Sequence, residues 1–265
     1  MSRHLLCSAL AIALVVPVGA VAAERMTNEQ VKKLIEDIDR GYDTWKKDLE
    51  KANLDDAVIT SADRTIKVKA FLEDFEKAID TVKDRFKSEY AASPEVLAVL
   101  RLGSDVELRH RRQGETPRSS WTPLAAKLDA LARAYGVSWP IESMNVQAGR
   151  LNDSEMAGKV EQMEKAAKQL RSETEKAAKA NKAIDKASRE SLKGSIEQVE
   201  AMAKDVRSRI KEDRPAAVEV GQLLSQTGKV KDTLTKLSLF WAGGAWRGID
   251  TGTEALARAF ALPKP

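Results

Sequence analysis

Ala130-Leu131-Ala132-Arg133-Ala134-Tyr135, in the middle of the chain, returns as Ala255-Leu256-Ala257-Arg258-Ala259-Phe260, 125 positions on. A tryptophan precedes each block at the same distance, Trp121 and Trp246, and each is followed by a proline, Pro140 and Pro265. Working outward at the same offset, Arg25-Met26-Thr27 faces Arg150-Leu151-Asn152 and Glu50-Lys51-Ala52 faces Glu175-Lys176-Ala177. With the offset reduced to 124, Val82, Arg85 and Lys87 meet Val206, Arg209 and Lys211, while Leu100 and Val106 meet Leu224 and Val230. Self-similarity held over so long a period marks one structural unit used twice. The reading is a tandem duplication, and it separates shared scaffold from what belongs to one copy.

Each copy reads as four helices. The first opens on Thr27, with Gln30 three residues later as a capping box, and Asn152 and Glu155 repeat the arrangement. Its apolar stripe is Val31, Leu34/Ile35, Ile38, Tyr42, Trp45 and Leu49, in alternating steps of three and four. The matching stripe, Met156, Val160, Met163, Ala167, Leu170, Thr174 and Ala177, is a thinner coiled-coil-like seam. A second helix carries Leu72, Phe75, Ile79, Val82, Phe86 and Tyr90 in one copy, and Ile196, Val199, Ala203, Val206 and Ile210 in the other. Ser93-Pro94-Glu95 opens a third, with proline in the first turn and an acid near the positive dipole end. The fourth begins near Ser119–Thr122 and stops at Gly136; its counterpart is expected from about Gly248 to Ala261. No stretch sustains β-branched alternation, so no strand is expected.

The N-terminal residues read as a secretory signal. Arg3 gives the positive start, Leu5 to Val16 the apolar run, and Ala20-Val21-Ala22 or Val21-Ala22-Ala23 a small-residue cleavage site. Removing it removes Cys7 and His4, which leaves a mature chain without cysteine. Disulfides, thiolate metal sites and cysteine nucleophiles are then excluded. Roughly 240 residues remain, enough to bury a core unaided. Charge divides unevenly: residues 24–145 hold 21 Lys/Arg against 23 Asp/Glu, and residues 146–265 hold 22 against 17.

Glu107-x-x-His110 has the spacing of half a di-iron carboxylate motif, but the second copy offers no histidine to complete one. No metal site and no cofactor are expected. Arg109, His110, Arg111 and Arg112, followed by Arg118, form the densest basic cluster, in a loop where the copies differ. It is a candidate site for an anionic envelope surface (lipid, lipopolysaccharide or peptidoglycan), set against a solvated loop that completes a helix C-terminus. Nucleic acid is disfavoured by export and by the lack of interleaved aromatics. Leu239, Phe240, Trp241 and Trp246 lie in the most apolar mature stretch, too short to span a bilayer. They are candidates for contact with a protein partner or a membrane interface, set against a buried connection in the core. Gly244 and Gly248 there have a spacing that lets helices approach closely.

Glu142-Ser143 resembles the Glu-Ser that opens the catalytic motif of helical lytic transglycosylases, without the glycine-rich continuation those enzymes carry. The resemblance implies a glutamate general acid at Glu142. No nucleophile elbow, P-loop, dinucleotide fingerprint or EF-hand loop is present.

The expectation is therefore an all-α protein: a signal peptide over 1–23, helical repeats over 24–140 and 151–265, and a linker over 141–150. Two helical bundles of four helices each make up the mature chain, with no transmembrane span. In function it reads as a periplasmic or secreted binding or scaffold module of the cell envelope, without catalytic residues. The alternatives are an ATP-independent chaperone that offers its amphipathic seams to clients, and a peptidoglycan-acting enzyme centred on Glu142.

Overall fold

The computed structural model describes residues 24–60, 65–113, 119–143, 145–239 and 243–265. The expected signal segment, 1–23, lies outside them. In chain order come α1 (Asn28–Lys51), β1 (Val58–Thr60), β2 (Thr65–Lys67), α2 (Val68–Arg85), α3 (Ser93–Gln113) and α4 (Trp121–Ala134). Then follow α5 (Asp153–Ala180), α6 (Lys186–Lys211), α7 (Ala217–Lys236) and α8 (Gly243–Ala259). Both halves close the same ring of contacts. Helix α1 packs on α2 and α4, and α3 on α2 and α4; α5 packs on α6 and α8, and α7 on α6 and α8. That ring is the up-down four-helix arrangement that short connections favour.

Local chemistry accounts for the helix starts. The Thr27 hydroxyl accepts from the Gln30 N–H, and the Gln30 side chain accepts from the Thr27 N–H at 2.9 Å. Asn152 and Glu155 make the same reciprocal pair at 2.8 and 2.9 Å. Each box satisfies two of the N–H groups a helix leaves unpaired at its start. The α1 stripe Val31, Ile35, Ile38, Tyr42, Trp45, Leu49 is buried throughout. In α5 the buried row runs from Met156 to Thr174 and ends on Ala178, where the sequence pattern had suggested Ala177. The true 3.6-residue period overtakes a strict alternation of threes and fours by the seventh turn.

Three expectations need correction. A two-stranded antiparallel ribbon pairs Val58 with Lys67, Ile59 with Ile66 and Thr60 with Thr65. Three-residue strands are too short to reveal a period, although their β-branched residues suit a strand. The ribbon occupies the place where the second half simply lengthens its helices, 28 and 26 residues in α5 and α6 against 24 and 18 in α1 and α2. Next, α2 stops at Arg85. Phe86 remains buried as its C-cap, and Tyr90 stands exposed in a tight turn closed by Lys87–Tyr90 backbone bonds. Finally, α8 begins at Gly243, five residues before the expected start. Glycine does not break this helix, and Gly248 and Gly252 are packing positions within it.

Apolar side chains gather in two separate clusters, one from each half. The first is built on rings: Trp45 lies 5.0 Å from Trp121 and Tyr42 lies 5.3 Å from Phe75, centre to centre. The Tyr42 hydroxyl donates to the Leu72 carbonyl at 2.6 Å, and the Tyr135 hydroxyl donates to Ala91. The second cluster is built on small residues and close helix approach. A Cβ on Gly248 would lie 2.7 Å from the Ala166 Cβ, and one on Gly252 2.8 Å from the Met163 Cβ. Gly244 meets nothing within 4 Å, so the close-approach pair is Gly248 and Gly252.

The segment between the halves is a strap on the first. Val137 and Ile141 are buried in the first cluster. The Trp139 Nε1–H donates to the Leu100 carbonyl at 3.2 Å, the Ile141 N–H to Ser104 Oγ at 2.8 Å and the Gly149 N–H to the Tyr135 carbonyl at 3.1 Å.

Candidate functional site

The joint between the halves is polar, and it is built from the residues that introduce α1 and α5. Arg25 donates one Nη to the Asp153 carboxylate and the other to the Leu151 carbonyl at 2.6 Å. Arg150 answers from the other side, donating to the Met26 carbonyl at 2.7 Å and to Asn28 Oδ1 at 3.1 Å. The Asn28 N–H donates to Asp153 at 2.7 Å, so this carboxylate sits at the start of α1 as well as in the first turn of α5. The contacts are reciprocal: Arg25, Met26 and Asn28 do for one half what Arg150, Leu151 and Asp153 do for the other. A further tie comes from Glu24, whose carboxylate accepts from the Ala216 and Ala217 N–H groups at 3.1 Å and so caps α7.

Electrostatically the joint is under-compensated. The side chains of Arg25 and Arg150 are only 8 % and 2 % exposed, and one carboxylate serves both, with Asp153 3.9 Å from Arg150. Burial first and the neighbouring Arg25 second push the Arg150 guanidinium down to about 10. Arg150 Nε and Asn152 Nδ2 are buried without a hydrogen-bond partner among the described residues.

Beside this joint lies a cleft of about 560 Å³, floored by Arg25 and Arg150 and walled by Arg133 and Arg258. The two wall arginines belong to the paired blocks that close α4 and α8. Ala134, Ala148, Ala255 and Ala259, with Tyr135, Leu151 and Met156, make its apolar lining, and Glu254 is the one acid among the residues that line it. A smaller groove of about 230 Å³ between α5 and α6 is also basic, through Arg171, Arg189 and Lys193, but none of its cations is buried. The cleft is the site that buried cations reach, through Arg25 and Arg150.

The basic cluster at the end of α3 is placed differently. Arg109 and His110 are half-buried, Arg111 and Arg112 are exposed, and Arg118 lies outside the described residues. Arg111 is tied back to Glu107 at 3.0 Å, and the other Glu107 oxygen accepts from Trp121 Nε1 at 3.0 Å. His110 packs its ring 6.3 Å from that of Trp121. Positive side chains in a last helical turn oppose the negative end of the dipole, a structural role that needs no ligand. Of the apolar candidates, Leu239 and Trp246 are buried in the second core and so correct the expectation of a surface contact. Their stretch is apolar because it closes that core. Phe240 and Trp241 lie outside the described residues. Glu142 is exposed on the strap, with no place in the lining of the cleft.

Among the described residues no three His, Cys, Asp or Glu side chains gather as metal ligands, and no helix is long and apolar enough to cross a membrane. From the sequence, Arg133 and Arg258 read as shared scaffold, and Arg25 and Arg150 as aligned positions without a role. One signal was present: a cation two residues ahead of an N-cap opposes the helix dipole, and the chain places one there twice, at Arg25 and Arg150. Comparison with known proteins returns no matching family model, no matching curated protein and no matching solved structure.

Proposed function

We propose that this chain is an exported, non-enzymatic binding module of the bacterial cell envelope, made by tandem duplication of a four-helix unit, and that it binds at the cleft between its halves. The observation that carries the reading is the buried, under-compensated arginine pair at the joint. Each half already has its own apolar core, so the joint is not needed to bury apolar surface. Taking a guanidinium out of water costs several kcal/mol even after relaxation, and apolar residues of similar volume would hold the halves together at lower cost. Buried charge at such a place is characteristic of a site that receives a partner of opposite charge. The arginine cluster at the end of α3, with a structural role already at hand, becomes the subordinate surface.

The test is native mass spectrometry on tagged full-length chain recovered gently from fractionated cells. The expected species is found outside the cytoplasm, starts near residue 24, and carries a bound small molecule that is lost on denaturation. Untrimmed protein in the cytoplasm would overturn the export reading. A mass equal to the bare chain, unchanged when cell extract is added back, would overturn the binding reading.

A further inference from the structure

We propose that the cleft takes a small dianion, a phosphate monoester or a dicarboxylate, held between Arg150 on its floor and Arg258 on its wall. The inference rests on the binding reading above and gives that site its ligand class. It follows from pairing off the charges. Arg25 is engaged by Asp153 and by the Leu151 carbonyl. Arg133 is engaged by Asp129 at 2.8 Å, one turn back on its own helix. Glu254, the one acid of the lining, is turned to Lys264 at 3.7 Å. Arg150 gives one Nη to the Met26 carbonyl and to Asn28 Oδ1, which leaves the rest of its guanidinium and the whole of Arg258. Arg150 keeps an unpartnered buried Nε, with its nearest carboxylate at 3.9 Å and already bonded to Arg25. Arg258 is exposed and makes no ion pair or hydrogen bond with the described residues.

Guanidinium N–H groups bind oxoanions strongly, through paired donors where a whole fork is free as at Arg258, and two guanidiniums lining one cleft suit a ligand with two negative charges. Size and lining then restrict the rest of the molecule. A cleft of about 560 Å³ holds a small organic molecule, larger than a bare inorganic ion needs. The alanines between the arginines offer a smooth apolar wall for a short hydrocarbon or aromatic body. Thr251 and Gln147 at the edge add hydroxyl and amide groups for a polar substituent.

Isothermal titration at fixed ionic strength on the full chain decides the matter, with phenyl phosphate, glutarate and the uncharged glutaramide as probes. Saturable binding by phenyl phosphate or by glutarate, with none by glutaramide, is the expected result, and the stronger arm names the headgroup. Arg258→Ala, an exposed change that leaves both cores alone, should weaken that binding about ten- to hundredfold. Arg40→Ala, an exposed arginine outside the cleft whose partner is Asp37, should change it less than about threefold. If Arg258→Ala binds like the unaltered chain, or if all three probes bind alike, the assignment is overturned. If no probe binds while native mass spectrometry still finds an uncharged adduct, the ligand class falls and the binding reading stands. If neither appears, both fall.

Discussion

Gly252→Ala is a substitution whose sign is set by one distance. In an open helical position the change is favourable: alanine exceeds glycine in helix propensity by about 1 kcal/mol, partly by restricting the unfolded chain. At Gly252 the new methyl would lie 2.8 Å from the Met163 Cβ and 3.2 Å from its Cγ and Sδ. The thioether end can turn away, but a Cβ is fixed to the backbone, so α8 and α5 must separate by several tenths of an ångström. Forcing an extra methyl into a packed contact costs about 1–3 kcal/mol, and separating the helices also loosens the Gly248–Ala166 contact one turn away. The net expectation is destabilisation by about 1–2 kcal/mol, which for a chain of this size lowers Tm by roughly 2–8 °C. Gly194→Ala in α6 is the control. Nothing lies within 4 Å of its would-be Cβ, and it should stabilise by about 0.5–1 kcal/mol. Calorimetry on the two variants measures both changes. A Gly252→Ala chain as stable as the parent, or a destabilised Gly194→Ala chain, would show that this close approach does not govern packing in the second half.

The joint and the ionisable groups supply further predictions. Asp153→Ala strips both buried guanidiniums of their shared carboxylate and should cost about 3–5 kcal/mol in urea unfolding; a loss below 1 kcal/mol would mean that the guanidiniums are reached by water. Glu24→Ala removes the cap on α7 and should cost about 0.5–2 kcal/mol, read as faster amide exchange at Ala216 and Ala217, with unchanged exchange there counting against the contact. Alkaline stability follows from proton linkage. Burial raises Tyr42 and Tyr135, so above pH about 10 the unfolded chain releases two protons that the folded chain retains, and stability falls. Arg150, held down mainly by burial, acts in the opposite sense in the same range. Lys46 and Lys83, raised first by their hydrogen bonds to Glu76 and Asp39, add to the fall. The tyrosines outnumber the arginine, which leaves a net decline on the order of 1 kcal/mol between pH 10 and 11. Urea midpoints at successive pH values test it, and a flat profile from pH 10 to 11 would refute it.

The legible parts of the fold were those in which one residue type has one role. Val31, Ile35 and Ile38 could only be a buried face, and Thr27 with Gln30 could only be a start. Gly243, Gly244, Gly248 and Gly252 were ambiguous, because glycine both ends helices and lets them approach. Only the position of Met163 across the contact decides which of the two it does. The ribbon at Val58–Thr60 was hidden by its brevity. The joint was hidden for another reason. Arg25 and Arg150 stand outside any periodic pattern, and their meaning depends on a partner about 125 residues away. The sequence match places them in register at an offset of 125, yet register alone does not reveal that the two reach across to each other's strand of backbone.

The strap has a further consequence, for the strength of the joint. A few polar contacts and one shared carboxylate would not hold two separate proteins together at micromolar concentration. Tethered by the short segment from Ile141 to Arg150, each half meets the other at an effective concentration on the order of millimolar, and a weak joint stays closed. The same segment exposes Gln147 and Gly149 to solvent. A single cut there would leave every contact of the joint in place and abolish the proximity that maintains it. The two bundles would then part as intact folded pieces, their separation reporting the intrinsic affinity of one half for the other.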